Sequence, residues 1–177
     1  MASLFIRTAD EDDAALIADL SRRTFYETFA AQNTKADMEK FMEEQFSREQ
    51  LMEQVSEPGN IFLLAFMDDL PAGYARLKES DNPASLGTLN AMEISRIYVV
   101  NTAIGTGIGK ALMNECIQFA IDRMKEVIWL GVWEQNLRAI SFYKKFGFSK
   151  FAKHVFMLGD DPQTDWLMKK ELNNVEN

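Results

Sequence analysis

The chain is poor in the residues that build metal centres and disulfide frameworks: its 177 residues include one cysteine, Cys116, and one histidine, His154. A single thiol excludes an internal disulfide and fits a reducing cytoplasm. A single imidazole excludes a multi-histidine centre, and the lone Cys and His offer no structural zinc set, so no metal is expected. Prolines number only four, and no apolar run approaches the roughly 20 residues of a membrane span. The N-terminus lacks the basic and apolar regions of a leader peptide, so a cytoplasmic chain with no membrane partner is expected. Positive charge is short too. Lys and Arg total 19 against 27 Asp and Glu, a net charge of −8 that argues against nucleic acid as a principal partner.

What is present is an ordinary globular composition, 47% hydrophobic and 26% charged, at a length suited to one domain. The expected division is a single domain over residues 1–172 and a polar tail over 173–177. Charge is unevenly placed. Residues 1–60 carry 13 acidic against 6 basic side chains, a balance of −7, and residues 96–153 carry 9 basic against 4 acidic, a balance of +5. Such polarity suits a polyanionic ligand at one half and a polycationic one at the other, although acidic helices are also simply soluble faces.

Periodicity predicts a strand at 4–8, a helix over 12–29 and helices within 34–57. A strand at Ile61–Met67, a turn at Asp68-Asp69-Leu70-Pro71 and a second arm at Gly73–Lys78 make a hairpin. Residues 79–87 read as a loop, followed by a strand from about 89 to 100, a helix over 107–125 and a strand over 127–133. A helix over 137–146 and strands near 148–158 and 164–170 close the order. This alternation predicts an α/β (α+β) mixed sheet of about seven strands flanked by helices.

Two segments carry the chemistry. In Arg96–Met113 a β-branched run ends in three alternate glycines, Gly105, Gly107 and Gly109, and an apolar helical stripe begins at once. Alternate glycines let backbone N–H groups converge on one concavity, and the helix start adds partial positive charge, so the unit suits a phosphate. It is not a P-loop, because three residues instead of four separate Gly105 from Gly109 and Ala111 replaces the hydroxyl residue. Nor is it a dinucleotide fingerprint, whose third glycine would fall on Lys110 or Leu112. The second segment, Trp129–Phe148, reads as a strand, Asn136 at a helix N-cap, a helix containing Phe142-Tyr143, and Gly147 as its stop.

Strand, glycine loop, helix, strand, Asn, helix with Phe-Tyr, then Gly-Phe resembles the GNAT acetyltransferase superfamily from near the first residue to about Lys170. Further blocks, Thr24–Phe29, Gln32-Asn33, Ile128–Glu134, Gly159-Asp160 and Gln163-Thr164-Asp165, resemble the bacterial spermidine/spermine N-acetyltransferases of the PaiA type. The resemblance implies a parallel strand pair splayed apart to admit acetyl-CoA. It places Ile104, Gly105, Thr106, Gly107, Ile108, Gly109 and Lys110 around the pyrophosphate, and Ile97, Tyr98 and Val99 along the pantetheine. Asn136, Tyr143 and Lys145 complete the cofactor set. Ile104 and Thr106 depart from the family, which usually has Gln or Arg at the first position and often a basic residue at the second.

The same resemblance makes Tyr143 the acid that protonates the leaving thiolate and Glu93 the carboxylate that takes the amine's proton, directly or through water. Glu27, Glu93 and Glu134 are substrate-side candidates, with Asp160 a further carboxylate. Each has a structural alternative: Tyr143 as a core tyrosine, Glu93 as a strand-edge charge, Asn136 as a pure cap. Cys116 reads as a buried thiol, and His154, in an apolar strand pattern, as structural. Trp129, Trp133 and Trp166 read as core aromatics, with Trp133 able to wall an acceptor tunnel. The expected activity is acetyl transfer from acetyl-CoA to a primary amine by direct attack, with spermidine or spermine as the favoured acceptor. Alternatives are another small amine, an amino-sugar antibiotic, a protein N-terminus, or a CoA-binding regulatory protein. Assembly as a homodimer stays open.

Overall fold

The computed structural model describes residues 2–79 and 82–172. The tail expected at 173–177 lies outside the described residues. Seven strands form one sheet: β1 (Leu4–Thr8), β2 (Asn60–Met67), β3 (Leu70–Lys78), β4 (Ala91–Val99), β5 (Val127–Trp133), β6 (Ser149–Leu158) and β7 (Asp161–Glu171), in the spatial order β1-β2-β3-β4-β5-β7-β6. All neighbours are antiparallel except β4 and β5. Among the described residues five α-helices accompany them: α1 (Ala14–Phe29), α2 (Lys35–Glu44), α3 (Arg48–Ser56), α4 (Ile108–Asp122) and α5 (Leu137–Lys145). No described helix is long and apolar enough to cross a membrane.

Helix starts follow local chemistry. Thr34 caps α2 by accepting from the Asp37 N–H, and Ser47 with Gln50 forms a reciprocal capping box at α3. The two sheet faces are covered by different helices. A side chain at Gly73 would reach Leu112 and Ile108 of α4, whereas the hydroxyl of the next residue, Tyr74, lies beside Ser21 of α1. The main core runs through Ile17, Leu64, Leu77, Met92, Ile108, Leu112, Met113 and Ile128, all at most 0% exposed. A second, aromatic cluster joins Phe25, Phe41 and Phe46 of the α1–α3 region to Leu158 at the end of β6.

The hairpin joining β2 to β3 departs from the sequence expectation. Its turn is only Asp68-Asp69, with φ of +50° and +65°, the left-handed pair that a right-twisted two-residue hairpin needs and that Asp tolerates. Pro71 lies within β3, paired to Phe66, at a register shift where a missing ladder donor costs little. Other expectations differ only at ends: β7 begins at Asp161 rather than 164, α4 ends at Asp122 rather than 125, and a 3-10 turn at Ala84–Leu86 interrupts the 79–87 loop.

Two irregularities position the site. The parallel pairing of β4 and β5 covers only Ala91–Ile94 against Val127–Leu130, although both strands continue past it. From Ser95 to Val99 the β4 edge therefore has no strand partner on its β5 side among the described residues. Pairing with β3 also skips Ser95, since consecutive Arg76 and Leu77 face Arg96 and Ile94. This bulge turns Glu93 onto the sheet face it shares with Arg96.

Candidate active site

The splay opens a cavity of about 990 Å³. Its lining runs from the glycine loop (Ile104, Gly105, Gly107, Gly109, Lys110) along the free β4 edge (Ser95 to Val99) to aromatic walls from Phe29, Phe41 and Trp133. Asn136, Arg138 and Tyr143 contribute from α5 and its start.

At the loop end, Gly105 and Gly107 have φ of +83° and +94°, and a Cβ at either would meet no atom within 4 Å. Gly107 is the N-cap of α4 and carries no side chain to satisfy the first turn. Ile104 and Thr106 spend their N–H groups on Asn101 and Ala103, within the turn. Those of Gly105, Gly107, Ile108, Gly109 and Lys110 reach no protein acceptor among the described residues. Five free donors, a helix N-terminus and two cationic side chains, Lys110 and Arg138, fit a pyrophosphate. The Ile108 side chain is fully buried against the sheet, so its share in such a contact is main-chain only. Thr106 and Lys145 lie outside the lining.

Tyr143 is 8% exposed, and burial pushes its hydroxyl above the ordinary phenol range, so it stays protonated at neutral pH. Tyr98, also in the lining, is raised by the same cause. Asn136 caps α5, its Oδ1 accepting from the Ala139 N–H at 3.2 Å, while still lining the cavity. Cys116 is buried, and burial pushes its thiol up to about 12, which removes it as a nucleophile. Among the described residues, three buried polar atoms lack a hydrogen-bond partner, on Ser21, Tyr74 and Arg96. They lie in one cluster behind the β4 wall, with the Tyr74 hydroxyl beside the other two.

The carboxylates separate. Glu27 lines the cavity, but both oxygens are engaged: one accepts from Arg23 Nε at 2.7 Å, the other from the Asn101 N–H at 2.9 Å. It thereby ties α1 to the turn preceding the glycine loop. Glu93 is half-buried on β4 and raised by desolvation, yet lies outside the lining. Glu134 is also outside it, and Asp160 pairs with Lys40 of α2 at 2.6 Å. His154 is exposed, not a core residue. Arg96 and Arg138, which carry no sequence motif, also line the cavity, as does Asp165 of the Gln163-Thr164-Asp165 block. Gln163 and Asn33 belong to two blocks that carry the family resemblance. The two meet at the cavity, Gln163 Nε2 donating to Asn33 Oδ1 at 2.7 Å.

Comparison with known proteins agrees with this geometry. Residues 22–148 match the acetyltransferase (GNAT) family model. An uncharacterised N-acetyltransferase of Lactobacillus delbrueckii subsp. lactis is 37% identical over 97% of this chain and 99% of its own. The spermidine N(1)-acetyltransferase of Thermoplasma acidophilum is 26% identical over 96% of this chain and 98% of its own. A crystal structure of the PaiA N-acetyltransferase from Thermoplasma acidophilum in complex with coenzyme A superposes with a TM-score of 0.77. It is 25% identical, over 96% of this chain and 99% of that one.

Proposed function

We propose, from the premise that this chain belongs to the GNAT acetyltransferase family, that it transfers the acetyl group of acetyl-CoA to a primary amine, a polyamine such as spermidine being the favoured acceptor. The observation that carries the cofactor half is the set of free N–H donors at the glycine loop, continuous with the unpaired β4 edge. The pyrophosphate would rest on the N–H groups of Gly105, Gly107, Ile108, Gly109 and Lys110. The Ile97 and Val99 main chain would offer partners to the pantetheine amides, as a missing strand would.

Acetyl-CoA supplies a thioester, an electrophilic acyl group on a leaving thiol. The chain's part is to orient, exclude water and move protons. Tyr143 holds a proton in the apolar wall between α4 and α5 and is the proposed donor to the departing thiolate. Free donors on the β4 edge would stabilise negative charge on the acyl oxygen. With Cys116 held protonated, transfer is direct to the amine. The proton accepted by Glu93 would pass through water, because that side chain lies outside the lining.

The polyamine reading rests on the Thermoplasma relative named a spermidine N(1)-acetyltransferase and on two carboxylates, Glu27 and Asp165, that line the cavity beside its aromatic walls. Its test is thiol release from acetyl-CoA across a panel of spermidine, spermine, monoamines, an aminoglycoside and a peptide N-terminus. Preference for a peptide or an aminoglycoside would replace the polyamine while leaving the acetyltransferase reading intact.

A further inference from the structure

The first β5 residue beyond its last pair with β4 is Gly131. Its φ lies outside the left-handed region, so the backbone does not require glycine there. A methyl group in its place would meet Leu167 Cδ2 at 3.6 Å and Asp165 Oδ2 at 3.7 Å, both ordinary contacts. Alanine would therefore fit, and it stabilises a strand interior better than glycine does. A glycine inside a strand marks a bulge, a bend or a close approach by another group, and β5 runs in unbroken register with β7 at this point. Gly131 is exposed to the cavity although its neighbours Leu130 and Val132 are buried.

Asp165 faces that gap. In the β5–β7 register Trp133 pairs with Asp165 and Gly131 with Leu167, which puts these residues on one sheet face. The Asp165 carboxylate lines the cavity and makes no hydrogen bond or ion pair among the described residues. Desolvation raises its carboxyl, opposed only by His154 on β6. Arg96, the cation on the β4 wall, is turned elsewhere, its guanidinium over Phe46 and donating to Gln54. A half-buried carboxylate with no partner gains more from an arriving cation than one already paired, as Glu27 is.

We propose that Asp165 holds the reacting ammonium of the acceptor amine in the space that Gly131 leaves open. The proposal rests on the acetyltransferase reading and assigns its acceptor class: amines that arrive as cations, the reacting nitrogen itself being the one recognised. Glu27, by contrast, would touch only a second, distal ammonium.

The test is calorimetry of CoA-saturated protein titrated with spermidine and, separately, with n-butylamine. Asp165→Asn should weaken both amines at least tenfold, about 1.4 kcal/mol, and leave CoA affinity within about twofold. In steady state the loss should fall on KM for both amines. Gly131→Val should weaken both amines with Asp165 intact, while Gly131→Ala keeps or raises the thermal midpoint and controls for folding. Spermidine affinity unchanged in Asp165→Asn, or no measurable spermidine binding to the wild-type complex, would overturn the proposal. Amine-dependent thiol release by the wild type judges the acetyltransferase reading separately. If that release persists while Asp165→Asn binds amines normally, only the Asp165 assignment fails.

Discussion

Replacing Gly107 separates a ligand cradle from a mere helix start. Gly107 holds φ +94° and ψ −3°, and an L-residue in left-handed conformation costs about 1–2 kcal/mol. Valine, β-branched, is among the least tolerant there. Because no atom lies within 4 Å of the missing Cβ, this cost is conformational and not a clash. For a domain of this size each kcal/mol lowers the thermal midpoint by about 2–4 °C, so Gly107→Val should lose roughly 2–8 °C. Gly107→Asn should lose less, since asparagine tolerates the left-handed region. Both variants nevertheless push atoms into the concavity in front of five free N–H groups, so both should raise the acetyl-CoA dissociation constant at least tenfold, about 1.4 kcal/mol. Gly109→Val, in helical conformation, should weaken binding in the same way. Gly109→Ala should cost no stability, because its Cβ would sit 3.8 Å from Phe142 and Val99. Calorimetric affinities equal to wild type in folded Gly107→Val and Gly107→Asn would refute the pyrophosphate assignment.

Other consequences can be checked together. Tyr143→Phe removes only the hydroxyl, so turnover should fall about 10²–10⁴-fold with acetyl-CoA affinity nearly unchanged; survival within about threefold would make water the donor. Because burial raises the Tyr143 pKa, its proton is lost only above the ordinary phenol range, so the wild-type rate should show no basic limb from Tyr143 at or below pH about 10. The KM for spermidine should rise with ionic strength, as exposed ion contacts are screened over about 8 Å near 0.15 M salt. Glu27→Gln keeps an oxygen for the Asn101 N–H, so it should raise that KM only if the carboxylate charge itself is used, with n-butylamine unaffected. Cys116→Ala should retain full turnover while losing about 1–3 kcal/mol of stability as a packing defect, and wild-type Cys116 should resist alkylation at neutral pH.

The glycine loop, the Asn136 cap and the order of elements were legible because each is a local signal: φ > 0, a cap spacing, a period. The β4 bulge was not. Strict alternation groups Glu93 with Ser95 and Ile97, whereas skipping Ser95 groups it with Arg96. The turn at Asp68-Asp69 was drawn too long because Pro71 signals a turn, while a bulged register admits proline inside the strand. Asp165 stood in a resemblance block with no role attached, and its place at the cavity follows from its pairing to Trp133 across the sheet. A further signal lay in Gly131, a glycine inside the strand segment Trp-Leu-Gly-Val-Trp. The bond between Gln163 and Asn33 likewise shows why two short blocks far apart in sequence belong to one wall.

The most direct test of the acetyltransferase reading is release of free CoA thiol from acetyl-CoA by the purified wild-type protein, with and without spermidine, read with a thiol reagent. The expected result is saturable, spermidine-dependent release matched mole for mole by N-acetylspermidine. Tight acetyl-CoA binding with no amine-dependent thiol release across the whole panel would contradict it and leave a CoA-binding protein without transfer.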